Sequence, residues 1–186
     1  MAILVVGGSG KDVGKTALVC AVISALREFE WTAVKITGHD YRSAENEPTI
    51  GEPLIREEVS AGEETDTERY LAAGARRALL VTRVGDAVPV NEIRSALGGD
   101  RNVIFESNRI VDAMKPDVCM ALAGGHERKA SFERLLRVAD GVVILAGTDP
   151  DGIPDGVRRF ELELEGGPPA EMVAWLRDLL NRANAN

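Results

Sequence analysis

A three-layer α/β fold with a mostly parallel sheet, covered by helices on both faces, is predicted by three features of this 186-residue sequence. Short continuous apolar runs recur along the chain, helical patterns fall between them, and a glycine-rich loop joins the first run to the first helical pattern. Strands buried on both faces read as unbroken apolar runs, and parallel neighbours need a crossover connection, usually a helix.

The first strand is read over Ala2-Ile3-Leu4-Val5-Val6, and the helix that follows runs from Lys15 to Glu28 through the apolar stretch Ala17 to Ile23. Further strands are expected at Thr32 to Ile36, Ala78 to Thr82, Asn102 to Phe105, Val118 to Leu122 and Gly141 to Ala146. Helices are expected at Thr65 to Ala75, Val90 to Leu97, Ser131 to Val138 and Ala170 to Arg182. The alternating Phe160, Leu162 and Leu164 make Arg158 to Pro169 a late strand before the last helix. One segment breaks the rhythm. From His39 to Glu64 the chain is polar, with turn signals at Glu45-Asn46-Glu47-Pro48 and Gly51-Glu52-Pro53. A segment of that length in one nucleotide-binding domain reads as an insertion or lid over about 39–64, or as a hairpin arm built on Pro53 to Val59.

Function is written mainly in the loop Gly7-Gly8-Ser9-Gly10-Lys11-Asp12-Val13-Gly14-Lys15-Thr16. A strand, then a glycine-rich loop ending in Gly-Lys-Thr, then a helix is the arrangement that cradles phosphates. Backbone N–H groups point inward, the helix N-terminus adds partial positive charge, and Lys15 and Thr16 supply an ammonium for phosphate oxygens and a hydroxyl for Mg²⁺. The expected nucleotide-binding residues are Gly8, Ser9, Gly10, Lys11, Asp12, Val13, Gly14, Lys15, Thr16 and Ala17. Counted from Gly8, the loop is one residue longer than the usual G-x-x-x-x-G-K-[ST].

Ligands of parallel α/β sheets sit at the carboxyl ends of the strands, so the residues just after each strand are the next candidates. Lys35 lies in an apolar run, where a lone ammonium is costly. It either snorkels from a strand edge or faces phosphates or an anionic substrate. Glu106, followed by Ser107 and Asn108, stands where a carboxylate binds Mg²⁺ or orients a nucleophile, with the two polar neighbours available to substrate. The alternative for Glu106 is a cap on the segment from Arg109 onward, and Asp66 is open between metal ligand and helix cap. The two histidines, His39 and His126, have no Cys or acid at zinc-ligand spacing, and His39 beside Asp40 is a weak candidate for substrate contact. Gly147 to Gly152 follows the last clear strand, where a base-recognition loop is expected, and lacks the Asn-Lys-x-Asp sequence that reads guanine.

Composition excludes several classes. With 22 basic and 30 acidic residues the formal net charge is −8, and the scattered cations argue against nucleic-acid or anionic-membrane partners. No apolar stretch is long enough to span a bilayer. Cys20 and Cys119 read as separate reduced thiols, and the N-terminal apolar run lacks the basic start of a signal peptide, so a cytoplasmic chain is expected.

These motifs together resemble the branch of P-loop NTPases that includes dethiobiotin synthetase and the molybdopterin-guanine dinucleotide biosynthesis protein B family. The loop from Gly8 to Thr16 has the spacing of the dethiobiotin synthetase loop, with its extra residue, its acid and its Val-Gly-Lys-Thr ending. Val34-Lys35 is similar to the lysine after the second strand in both families, and Asp66 to Ala75 is similar to the Asp-Ser-x-Arg…Ala-Gly-Ala segment of the molybdopterin family. Phe105-Glu106 stands at the Val-Glu-Gly motif, with Ser107-Asn108 in place of glycine, so neither family's substrate is implied. The resemblance implies that Thr16, Asp66 and Glu106 surround Mg²⁺, that Lys15 binds the β and γ phosphates, and that Lys35 assists at the transferred group. Lys15, Lys35 and Glu106 are then the catalytic set. Lys11 is similar to the extra lysine of partition-type ATPases but stands one residue closer to Gly14-Lys15, and a homodimer stays open.

The expected function is Mg²⁺-dependent hydrolysis of ATP or GTP, or γ-phosphoryl transfer to a small-molecule acceptor or cofactor precursor, of the kinase or ligase kind. The alternative is a nucleotide-switch accessory of a cofactor-biosynthesis enzyme with little turnover, and a third reading is a degenerate fold that keeps the loop alone.

Overall fold

The computed structural model describes residues 1–38, 54–83, 87–125, 128–148, 152–162 and 167–185. His39, Asp40, His126, residues 149–151 of the Gly147 to Gly152 loop and residues 39–53 of the polar segment, with the lid expected there, lie outside the described residues.

Eight strands form one sheet: β1 (Ala2–Gly8), β2 (Thr32–Thr37), β3 (Leu54–Glu57), β4 (Arg77–Thr82), β5 (Asn102–Glu106), β6 (Val118–Ala123), β7 (Gly141–Leu145) and β8 (Arg158–Leu162). Their order is β3-β4-β2-β5-β1-β6-β7-β8. All pairings are parallel except β3 with β4. The helices are α1 (Lys15–Ala25), α2 (Asp66–Ala73), α3 (Val90–Leu97), α4 (Ala130–Leu136) and α5 (Ala170–Ala185). The predicted strands and helices are therefore present, with small shifts at their ends, except that the late strand expected over Arg158 to Pro169 is described only over Arg158–Leu162 and Leu164 lies outside the described residues.

Strand β1 is central and wholly buried. Its side chains divide by the two-residue period of a strand: Ala2, Leu4 and Val6 enter the core under α1, α2 and α5, while Ile3 and Val5 enter the core under α3 and α4. Two helical layers thus enclose the sheet, as the unbroken apolar runs require.

Helix α1 stops earlier than its apolar pattern suggested. Leu26 leaves helical geometry at φ −126° and ψ 45°, and a short 3-10 turn follows over Arg27–Phe29. The break exposes the Leu26 carbonyl to the indole N–H of buried Trp31 at 2.9 Å, and the Phe29 ring stacks on Trp31. The Pro53 to Val59 piece resolves, over its described residues, into the edge strand β3. Arg77 on β4 grips it by donating to both carboxylate oxygens of Glu57, at 2.8 and 2.7 Å, while also reaching Asp100 at 2.6 Å.

Candidate functional site

The carboxyl ends of β1, β2, β4 and β5 open into a cleft of about 580 Å³, whose floor is the loop between β1 and α1. The loop is built by side chains from across the sheet. Asn108, just past β5, accepts from Gly8 N–H at 2.7 Å and donates to Gly8 C=O at 2.8 Å and to Ser131 Oγ at 3.2 Å. Ser9 donates its N–H to Leu122 C=O at 2.9 Å and its hydroxyl to Gly124 C=O at 2.5 Å, and its own carbonyl accepts from Lys129 N–H at 3.0 Å. A Cβ on Gly8 would lie 2.8 Å from both Lys15 and Val13, so the close turn needs glycine there. Gly14, at φ 96°, opens α1 in the left-handed region, and no side chain caps the first turn of the helix.

Ser9 is buried, with its N–H and hydroxyl both spent on the sheet, so it holds the loop in place and has no donor left for a phosphate. The Val13 side chain packs against the core, and Gly8, Gly10, Lys11, Asp12, Gly14, Lys15, Thr16 and Ala17 line the cleft. Ser107 and Asn108 border the cleft, but Ser107 Oγ accepts from Arg109 N–H at 3.1 Å and Asn108 is committed to Gly8. Asn108 stands 100 residues from Gly8 in sequence, and no local pattern announces that clasp.

Beyond the loop, four side chains form a ring that is open between Asp66 and Thr16. Thr16 Oγ1 donates to Glu106 Oε2 at 2.8 Å, Lys35 Nζ donates to Glu106 Oε1, and Lys35 also pairs with Asp66 Oδ2 at 2.8 Å. Asp66 lies close enough to Thr16 to feel its hydroxyl dipole, but the single hydroxyl proton of Thr16 goes to Glu106. Tyr70, fully buried on α2, donates its hydroxyl to Glu106 Oε2. Every oxygen of Glu106 is therefore occupied, and its side chain is only 2% exposed. The capping alternatives for both acids fall away. Glu106 makes no cap, and helix α2 is capped by Thr65, which accepts from Glu68 N–H while Glu68 returns to the Thr65 N–H. Asp66, at the first helical position, is released to face Lys35.

Charge explains why the ring holds. Burial pushes the Lys35 ammonium toward neutrality, but the Glu106 and Asp66 carboxylates outweigh it and hold its pKa above the ordinary value. Burial pushes Asp66 up, but the hydrogen bond and charge of Lys35 outweigh it and hold its pKa below the ordinary value. Burial and the Glu106 charge raise Tyr70 far above a normal phenol, so it stays a donor. Lys15 behaves differently: burial, with Lys35 and Lys129 nearby, lowers its pKa, and its ammonium reaches across the loop to Gly10 C=O at 2.6 Å. An anion in the loop relieves that strain on Lys15.

No protein-family model matches the chain, and neither does any curated protein. Solved structures do match it. Hydrogenase maturation factor HypB from Archaeoglobus fulgidus superposes with a TM-score of 0.58 at 16% identity, over 97% of this chain and 91% of that one. LpxK from Aquifex aeolicus in complex with ATP gives 0.53 at 17% identity, over 87% of this chain and 53% of that one. The chain has the P-loop NTPase fold. HypB from Helicobacter pylori in complex with nickel also shares this P-loop NTPase fold, with a TM-score of 0.52 at 12% identity over 99% and 87% of the two chains. At these identities the likeness is one of fold, and this chain spans about half the length of LpxK.

Proposed function

We propose that this chain binds Mg²⁺ and a nucleoside triphosphate, ATP or GTP, and hydrolyses it or transfers its γ-phosphoryl group to a small-molecule acceptor. The observation that carries this reading is the gathering of Thr16, Glu106, Lys35 and Asp66 at the mouth of the loop, linked through Glu106 and Lys35. A hydroxyl and two carboxylates gathered beside the uncapped start of α1 form a hard-oxygen donor set, and Mg²⁺ takes one or two carboxylates with its remaining positions filled by phosphate and water. Among the described residues no group of three or more His, Cys, Asp or Glu offers a fuller metal cage, which suits Mg²⁺ shared with a nucleotide better than the nickel of the Helicobacter pylori HypB structure. Thr16, Asp66 and Glu106 would hold the ion, which when bound neutralises charge on the phosphates.

Each residue then has a task. Lys15 leaves the Gly10 carbonyl for the β and γ phosphates, a charge-assisted contact for a cation already pressed by burial. The α1 N-terminus contributes unpaired N–H groups to the same oxygens. Lys35, held between two carboxylates, is placed to turn toward the transferred group, and Tyr70 keeps the Glu106 carboxylate fixed while it does so. Positioning and charge neutralisation supply most of the catalysis in such chemistry. The finer likeness to the dethiobiotin synthetase and molybdopterin-guanine dinucleotide group supports a place in cofactor or small-metabolite synthesis.

Calorimetry with ATP and GTP in the presence of Mg²⁺ tests the reading. The wild type binds one of them and Lys15→Ala loses it; equal affinity in both proteins removes the proposal. The same ring also favours a second reading, a nucleotide switch serving a partner enzyme, because Lys35 bridging the two acids must rearrange when a metal–nucleotide complex engages them. A switch binds its partner differently with di- and triphosphate, whereas an enzyme consumes nucleotide in step with its acceptor.

A further inference from the structure

We propose that the outer edge of β8 is a self-association surface, on which a second copy of this chain pairs antiparallel about a two-fold axis, with Arg159 of each copy opposite Glu161 of the other. Backbone direction gives the first reason. Among the described residues β8 ends the sheet and pairs with β7 alone, so one row of its backbone groups faces away from the sheet. Leu162 C=O accepts from Ala146 N–H at 3.2 Å, which turns residue 162 toward β7. By the two-residue alternation of a strand, Arg158, Phe160 and Leu162 bond toward β7, while Arg159 and Glu161 carry their N–H and C=O groups outward. Among the described residues nothing bonds to those outward groups. An edge of this kind is a template for another strand.

Register gives the second. Antiparallel strands bond where outward-facing residues stand directly opposite each other and exchange both of their N–H and C=O bonds. Two β8 edges can therefore meet with Arg159 on Arg159, with Glu161 on Glu161, or with Arg159 on Glu161. The first two set like charges face to face, which destabilises a cross-strand pair. In the third, opposite charges meet on both sides of an axis that passes beside Phe160, and each Arg159–Glu161 pair exchanges its backbone hydrogen bonds. This self-complementarity favours a second copy over a foreign strand, since a two-fold contact uses the same patch on both subunits.

Side-chain placement gives the third. Arg159 and Glu161 lie on one face of β8, and both are exposed. Arg159 Nη2 donates to Ile153 C=O at 3.2 Å, which anchors the guanidinium over that face and leaves its other N–H groups for a carboxylate. Arg158 turns to the opposite face, where its guanidinium stands 5.4 Å from the Phe160 ring centre and 5.8 Å from that of Trp175. It therefore adds no like charge to the paired face. The result is one continuous sheet through both copies, in which the two β1 strands are seven strand spacings apart, about 34 Å. Because the copies run antiparallel, their clefts open at opposite ends, and neither copy reaches into the cleft of the other.

Sedimentation velocity on the whole chain, from low-micromolar to millimolar concentration, tests the proposal. The wild type is expected to pass reversibly from monomer to dimer as concentration rises. Arg159→Glu and Glu161→Arg each turn both ion pairs into like-charge contacts, and each is expected to weaken the dimer by about tenfold. Mixing these two variants brings opposite charges together at both pairs, so a mixed dimer close to wild-type affinity is expected. The double variant Arg159→Glu, Glu161→Arg keeps the net charge of the wild type and should recover the dimer on its own. Far-ultraviolet circular dichroism checks that each variant is folded. A wild type that stays monomeric throughout overturns the proposal, and so does a dimer indifferent to both single variants. Failure of both the mixture and the double variant to recover also overturns it, because the register would then be wrong. Association that runs on past the dimer does the same, since a two-fold contact uses up the β8 edge.

Discussion

The carboxamide of Asn108 grips both backbone groups of Gly8, accepting its N–H at 2.7 Å and donating to its C=O at 2.8 Å. A side chain thereby adds one more rung beyond the last backbone pairing of β5 with β1, where Ser107 N–H meets Val6 C=O at 3.1 Å. Asn108→Asp sets a carboxylate oxygen against the Gly8 carbonyl and leaves that acceptor unpaired. The expected cost is about 1–3 kcal/mol of stability, with a matching drop in nucleotide affinity because the first turn of the loop shifts. Thermal melts and calorimetry on the same samples measure both; a melt and an affinity equal to wild type would show that the clasp does not position the loop.

Glu106→Gln and Asp66→Asn are expected to differ. Glu106 is 2% exposed and accepts from Thr16, Tyr70 and Lys35, so an amide N–H there faces a donor and costs about 1–3 kcal/mol of stability. Asp66 is 29% exposed, and its amide variant should fold nearly as well as wild type. Both should lower Mg²⁺-dependent turnover more than nucleotide affinity. Turnover unaffected by Asp66→Asn would restrict Asp66 to holding Lys35.

Tyr70→Phe keeps the buried ring and removes one donor from Glu106. The expected result is a fall in kcat of about 3–10-fold, the scale of one neutral hydrogen bond, with KM for the nucleotide little changed. A kcat equal to wild type would mean that Tyr70 acts only through packing.

Stability should fall on the alkaline side for a stated reason. Burial raises Cys119 from 9.0 to about 12 and Cys20 to about 11. For an acid whose folded pKa is raised, the contribution to stability is complete below the unfolded pKa and is lost as pH climbs toward the folded value. Between pH 9 and 10.5 the wild type should lose about 2 kcal/mol more than Cys119→Ala, measured by denaturant unfolding at each pH. Parallel pH dependence of the two proteins would show that this thiol is not titrating with unfolding.

The strands and helices were legible because apolar runs and a glycine-rich junction are local signals. The ring was only partly legible. Lys35, Asp66 and Glu106 could be picked out as polar groups at the ends of apolar elements, but the sequence left a cap or snorkelling as alternatives. The capping box Thr65-Asp66-Thr67-Glu68 was the signal that could have released Asp66 from the cap, since it makes Thr65 the N-cap. Tyr70 was read only as part of a helix, and Ser9 as a phosphate contact. Their partners are Glu106, 36 residues away, and Gly124, 115 residues away, and no local pattern reports a pairing across such distances.

Glu106 collects hydrogen bonds from residues 90, 71 and 36 positions away in sequence. Chain regions that meet only over such separations come together late, because loop-closure entropy is lost before the contacts compensate it. β1 pairs with β5 only after the chain has been made through residue 106, so a nascent chain carries the complete glycine-rich loop long before it carries the acid that the loop's threonine needs. Phosphate-binding sequence and metal-binding geometry are thus separated in time during synthesis, and a chain stalled or cut before β5 holds the motif without the chemistry.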